Sequence, residues 1–145
     1  MVDKKYRIGY TTGVFDLFHI GHLNILKRSK SLCSYLIVGV STDELVMEYK
    51  YKKPLFSFEE RFEIVKAIKY VDEVIPQKNR NKISAYEEIK FNVMFVGDDW
   101  KNSEFFNRSE ELLKMNHVDV VYFPYTKGVS STGILERLRN TSEEK

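Results

Sequence analysis

Tyr35-Leu36-Ile37-Val38-Gly39-Val40 is an apolar run with no polar alternation, and Val93-Met94-Phe95-Val96 is another. A strand that reads this way is covered on both faces, as in a parallel sheet. Further strand candidates are Tyr6–Tyr10, Glu73–Pro76, ended by proline, and Val118–Tyr122. Between them the apolar spacing turns helical. Phe62, Val65 and Ile68 recur at that spacing in a helix opened by Ser57 and Glu60 as a capping box. Asn81–Ile89 places Ile83, Tyr86 and Ile89 on one side, and Phe105–Met115 forms the next helix. Ser130 or Ser131 caps a last helix to about Arg139. Strands alternating with such helices predict an α/β fold: a doubly wound, mostly parallel sheet of about five strands with helices on both faces.

The 145 residues suit one domain, 1–145, with a frayed polar tail over 140–145. Apolar residues make up 43% and charged residues 30%, a composition that supports a real core. The net charge of +2 and the lack of a basic stripe argue against nucleic acid as a partner. No apolar run is long enough to span a bilayer, and no signal-peptide pattern is present. One cysteine excludes an internal disulfide framework. These features predict a cytoplasmic protein with no membrane partner.

Chemistry concentrates after the first strand. The turn Gly13-Val14-Phe15-Asp16-Leu17-Phe18 leads to His19-Ile20-Gly21-His22 and a helix over about Gly21–Ser31. Two imidazoles three residues apart share a helix face. At the first turn they meet unpaired N–H groups and the positive end of the dipole, where a polyphosphate binds. Gly13 allows close backbone approach. A metal site needs more ligands than this pair; Cys33 is not spaced to help, and His117 lies far along the chain. One packed and one solvated histidine is the plain alternative.

A second phosphate-type element, Thr126-Lys127-Gly128-Val129-Ser130-Ser131-Thr132, offers hydroxyls and bare amides at a helix start. Taken alone it reads as an N-cap with surplus serines; taken with the histidines it is the second jaw of a clamp. Asp98 or Asp99, after a buried strand, can hold Mg²⁺ or a substrate hydroxyl, or simply shape a turn. Asp16 can brace backbone amides without touching ligand. Lys50, Lys52 and Lys53 lie in a basic loop able to fold over a triphosphate, or only to solvate. Arg61 and Lys69, on the helix that follows, can present cations to phosphate or just solvate that face. Gly13–His22, Gly97–Trp100 and Thr126–Thr132 follow strands, and ligands of such sheets bind at the strands' carboxyl ends, where strand order reverses, so one crevice can collect them all.

Together, Gly13–His22, Ser41-Thr42-Asp43-Glu44, Arg61, Tyr70-Val71-Asp72-Glu73-Val74, Gly97-Asp98-Asp99-Trp100 and Thr126–Thr132 resemble the cytidylyltransferase family, and within it the small bacterial glycerol-3-phosphate cytidylyltransferases. The likeness runs from about Ile8 to Leu138. The His-x-Gly-His element alone marks a nucleotidyltransferase superfamily; the full set is more specific. The resemblance implies a Rossmann-like sheet, CTP and a phosphorylated alcohol as substrates, Mg²⁺, CDP-alcohol and pyrophosphate as products, and a homodimer. It implies that His19 and His22 contact the triphosphate and stabilise the transition state. Gly13, Val14, Phe15 and Gly21, Asp98, and the segment with Tyr125, Thr126, Gly128, Ser130, Ser131 and Thr132 would line the CTP site. Lys50 and Lys52 match a lysine pair that contacts substrate and nucleotide, in a loop one residue longer here. Arg61 and Lys69 match family arginines on the acceptor side, with Asp16.

The chain also departs from the family. Where the family reads Arg-Thr-Glu-Gly-Ile-Ser-Thr-Thr, this chain has Tyr125 and Lys127 in place of the arginine and the acid. Tyr125 offers one hydrogen bond and no fixed charge. Arg80 stands where glycerol-phosphate enzymes carry tryptophan. The acceptor is therefore expected to be glycerol-3-phosphate, a positional isomer such as glycerol-2-phosphate, or another polyol phosphate. Phosphocholine or phosphoethanolamine is the rival acceptor. An adenylyltransferase is a further rival, which Gly97-Asp98-Asp99-Trp100 argues against. A nucleotide-binding module without turnover is the alternative from another class.

Overall fold

A computed structural model describes residues 4–97, 103–124 and 130–143. The elements run β1 (Tyr6–Gly13), α1 (Ile20–Leu32), β2 (Cys33–Ser41), α2 (Asp43–Lys50), α3 (Phe58–Lys66), β3 (Glu73–Gln77), α4 (Lys82–Ile89), β4 (Val93–Gly97), α5 (Glu104–Met115), β5 (Asp119–Phe123) and α6 (Ser131–Glu143). The five strands form one parallel sheet in the order β3-β2-β1-β4-β5. The chain winds outward from β1 to β3, then crosses back to lay β4 on the other side of β1. Strand order thus reverses between β1 and β4, and the crevice opens at their carboxyl ends, Gly13 and Gly97.

Apolar residues line both faces because each inner strand sends alternate side chains each way. Leu36, Val38 and Val40 of β2 and Val93 and Phe95 of β4 pack with Leu26 of α1 and Val65 of α3. Ile37, Met94 and Val96 point the other way, with Tyr10, to meet Phe106 and Leu113 of α5 and Ile83 and Tyr86 of α4. At the centre, Gly9 lets β1 pass close to its neighbours. A Cβ there would lie 2.6 Å from Phe95 Cε2 and 2.8 Å from Cys33 Sγ.

Three expectations change. The basic stretch after β2 is partly helical: Thr42 caps α2, its hydroxyl accepting from Leu45 N, and Lys50 is the last helical residue. Pro76 lies inside β3 and does not end it, which an edge strand tolerates because one side of it needs no donor. The tail is helical as far as Glu143.

Candidate active site

His19 is the N-cap of α1, with extended backbone. Its Nδ1 accepts from Gly21 N at 3.0 Å, while His22 Nδ1 accepts from His19 N at 3.1 Å. The two histidines therefore cap each other's turn reciprocally, the service a Ser/Glu pair usually performs. The rings stack with centroids 3.9 Å apart. With both Nδ1 atoms accepting, this hydrogen-bond pattern assigns the proton of each neutral ring to Nε2. The result is two stacked imidazole donors at a helix start. Burial holds both rings below the usual imidazole range; His22, further lowered by His19 beside it and raised by Asp16, reaches about 4. At neutral pH the pair is uncharged and donates hydrogen bonds. The expected bare amides are therefore partly occupied: the histidines take the N–H groups of His19 and Gly21 and replace them with Nε2–H.

The turn before the pair is held under strain. Phe15 has φ of 56° and Leu17 has φ of 48°, in a region costly for residues with a Cβ. Phe15 is buried, its ring edge-on to His22 and stacked with Phe18. Gly13 makes room for that ring, since a Cβ would lie 3.0 Å from it.

Asp16, between the two strained residues, ties three segments together. Its carboxylate accepts from Leu55 N at 2.9 Å and Phe56 N at 3.0 Å. Its carbonyl accepts from Ser131 Oγ at 2.6 Å. The bracing role is the one observed. The bond to Ser131 brings the start of α6 to the histidine turn, as the clamp expectation requires. Ser130 caps α6 through Gly133 N, and Thr132 is exposed on its first turn. Asp98, Asp99, Tyr125, Thr126 and Gly128 lie outside the described residues.

Arg61 corrects an expectation. Its side chain is fully buried and presents no cation to ligand. Nε donates to Phe56 O, Nη1 to Val14 O and Ser41 O, and Nη2 pairs with Asp43 at 2.7 Å. It fastens the histidine turn, the end of β2, α2 and the basic loop to one another. Lys69 is a second correction. Helix α3 stops at Lys66, and Lys69 falls in the turn entering β3. That places it at the amino end of the strands, on the rim opposite the histidines. Lys50 and Lys52 are exposed at the end of α2 and just beyond it, in the stretch that Asp16 anchors at Leu55 and Phe56.

One residue escaped the sequence reading. Lys82, the first residue of α4, is nine-tenths buried, and its Nζ donates to Thr12 Oγ1 at 3.2 Å. Among the described residues no carboxylate pairs with it, and burial, with Arg80 nearby, lowers its pKa to about 8. It lines a pocket of about 300 Å³ with Tyr10, Gln77, Asn79 and one carboxylate, Glu88, which makes no ion pair with it, and Thr12 is the neighbour of Gly13. A buried ammonium with one neutral partner calls for an anion. A cation in the first turn of a helix, against the dipole, is the sequence signal for such a duty.

Oxygen donors suited to Mg²⁺ are sparse: among the described residues no cluster of three or more His, Cys, Asp or Glu side chains exists. Among the described residues no helix is long and apolar enough to cross a membrane.

Residues 10–137 match the family described as cytidylyltransferase-like. A glycerol-3-phosphate cytidylyltransferase of Bacillus spizizenii is 43% identical over 125 residues, 86% of this chain and 91% of that protein. An FAD synthase of Thermococcus sibiricus is 38% identical over 124 residues, 84% of this chain and 82% of that protein. Among solved structures, the lipopolysaccharide core biosynthesis protein of Thermoplasma volcanium aligns with a TM-score of 0.69 at 27% identity, covering 86% of this chain and 99% of that one. With the reversed strand order, the histidine-capped helix and a match over most of its length, this chain belongs to the cytidylyltransferase-like family.

Proposed function

We propose that the protein is a nucleotidyltransferase that moves CMP from CTP to a glycerol phosphate, glycerol-3-phosphate or its 2-phosphate isomer, giving CDP-glycerol and pyrophosphate. The observation that carries the reading is the reciprocal histidine cap, which aims two Nε2–H donors from a helix start that Ser131 also reaches through Asp16. The similarity to glycerol-3-phosphate cytidylyltransferases supports the choice of nucleotide and acceptor.

A phosphate oxygen of the acceptor attacks the α-phosphorus of CTP in line, the α–β bridging bond breaks, and pyrophosphate leaves with its electron pair. That oxygen is anionic near neutral pH, so no general base is needed. Catalysis rests on alignment and on stabilising charge on the α-phosphate and leaving group. His19 and His22 donate to the triphosphate as neutral rings. Lys52 and Lys50 bring charge from the loop, and Ser130, Ser131 and Thr132 receive phosphate from the α6 side. Lys82 holds the acceptor's phosphate beside Thr12. Mg²⁺ held mainly through the triphosphate oxygens, with Asp98 or Asp99 beside it, would neutralise part of that charge. We further propose a homodimer working in the cytoplasm on cell-wall or capsule precursors.

The FAD synthase similarity makes ATP the donor to compare. Pyrophosphate release is measured with CTP or ATP against glycerol-3-phosphate, glycerol-2-phosphate, phosphocholine and flavin mononucleotide. Release from CTP with a glycerol phosphate alone is expected. Release only from ATP, or only with phosphocholine, refutes the assignment.

A further inference from the structure

The Lys82 pocket has a wall of carboxamides. Gln77 ends β3 beside Ser41, the last residue of β2, and is nine-tenths buried. Its Oε1 accepts from Ser41 Oγ at 2.8 Å. Asn79 Oδ1 accepts from Asn81 N at 2.9 Å, and Asn81 Oδ1 accepts from Ile83 N at 3.0 Å and Ser84 N at 3.1 Å. Each carboxamide oxygen is thus engaged within the protein. Among the described residues none of the three amide nitrogens has a hydrogen-bond partner. All three side chains line the pocket with Lys82. Among the described residues no enclosed polar side-chain atom lacks a partner, so the Gln77 nitrogen is not sealed in and opens on that space. Together with the ammonium, these amides present N–H donors and no acceptor.

Such a wall selects by hydrogen-bond type. A hydroxyl oxygen accepts from an amide; a trimethylammonium neither donates nor accepts, and a primary ammonium only donates. A cationic tail would need a carboxylate or an open ring face. Glu88 stands six residues along α4 from Lys82, about 9 Å of helical rise. Tyr10 is buried, with its ring stacked on Phe91 at 5.0 Å between centroids. A space of about 300 Å³ is at the small end of ligand cavities, which suits a three-carbon acceptor better than a nucleotide.

We infer that Gln77 is a specificity-determining residue: with its oxygen pinned by Ser41, its amide nitrogen donates to a free hydroxyl of the acceptor while Lys82 holds the phosphate. The protein thereby selects hydroxylated phosphates over alkyl and choline phosphates. This rests on the transfer reading above and names the group that reads the acceptor's tail. Asn79 and Asn81, exposed at the mouth, receive a second hydroxyl.

Binding is measured by titration calorimetry on the full chain, independently of turnover. The probes are matched pairs that differ only in hydroxyls: glycerol-3-phosphate against n-propyl phosphate, and glycerol-2-phosphate against isopropyl phosphate. Phosphocholine is the cationic comparison, and pyrophosphate release from CTP is followed with both glycerol phosphates. The polyol of at least one pair should bind about tenfold or more tightly than its alkyl partner and than phosphocholine. Gln77→Met fills the same space without an amide, and Gln77→Asn withdraws the amide by one methylene. Each should cut that preference to about threefold or less while the alkyl phosphates bind as before. Circular dichroism checks the fold, and either folded variant decides. Equal binding within both pairs, no binding of either glycerol phosphate, or a preference that a folded Gln77 variant keeps overturns the inference. A preference that Gln77 controls, without pyrophosphate release from CTP, sinks the transfer reading and leaves the pocket assignment standing. Release with a glycerol phosphate but no hydroxyl preference does the reverse.

Discussion

Replacing Arg61 by methionine tests whether this arginine builds the site or binds in it. The side chain is fully buried and engages three carbonyls and the Asp43 carboxylate. Methionine fills similar space but leaves Val14 O, Ser41 O and Phe56 O without these donors and Asp43 without its cation. Breaking a buried ion pair from one side costs about 3–5 kcal/mol, and each orphaned buried carbonyl costs about 1–3 kcal/mol. Asp43 is 30% exposed, so water recovers part of its share. The losses also overlap, because the loop relaxes once. A net loss of about 3–5 kcal/mol follows, which at roughly 2–4 °C per kcal/mol for a chain of this size lowers Tm by about 6–20 °C. Thermal and urea unfolding followed by circular dichroism read it directly. A cation facing a phosphate would behave otherwise: the variant would keep its stability and raise KM. A loss below about 1 kcal/mol with a raised KM therefore refutes the fastening role.

Asparagine at His19 or His22 keeps an acceptor near the Nδ1 position and removes the Nε2–H; each variant should hold its Tm within a few degrees while kcat falls roughly 10²–10³-fold, as for loss of one oxyanion donor. Alanine at either position should lose both kcat and helix stability, which unfolding and pyrophosphate-release assays on the four variants compare. Because the folded His22 pKa, about 4, lies below the ordinary 6.5, the unfolded chain takes up that proton first; the contribution is complete above about pH 6.5 and drains away as pH falls towards 4. Unfolding free energies from urea titrations at about pH 7 and pH 5 should differ by up to about 2 kcal/mol more in the wild type than in His22→Asn. Gly9→Ala forces a methyl against Phe95 and Cys33 and should cost about 1–3 kcal/mol in urea unfolding.

The strands were readable because burial on both faces writes unbroken apolar runs, and all five expected strands are present. The histidine pair was readable because its spacing is tied to one helical turn. Helix α2 was hidden, since eight residues with three acidic side chains and a terminal lysine carry little periodic signal. The destinations of Arg61 and Lys82 were hidden for another reason. A side chain's partners are long-range: Val14 and Thr12 are 47 and 70 residues away. Lys69 was misplaced because helical spacing was extended past Lys66, and that short overrun moves a residue to the far rim of the sheet.

Asp16 receives contacts from residues 39, 40 and 115 positions further on. Nucleotide affinity should accordingly mature last during biosynthesis. A nascent chain halted before Ser131 can complete its sheet, yet it lacks the final strut of the histidine turn, so early domains in the making would not sequester the cell's nucleotide pool.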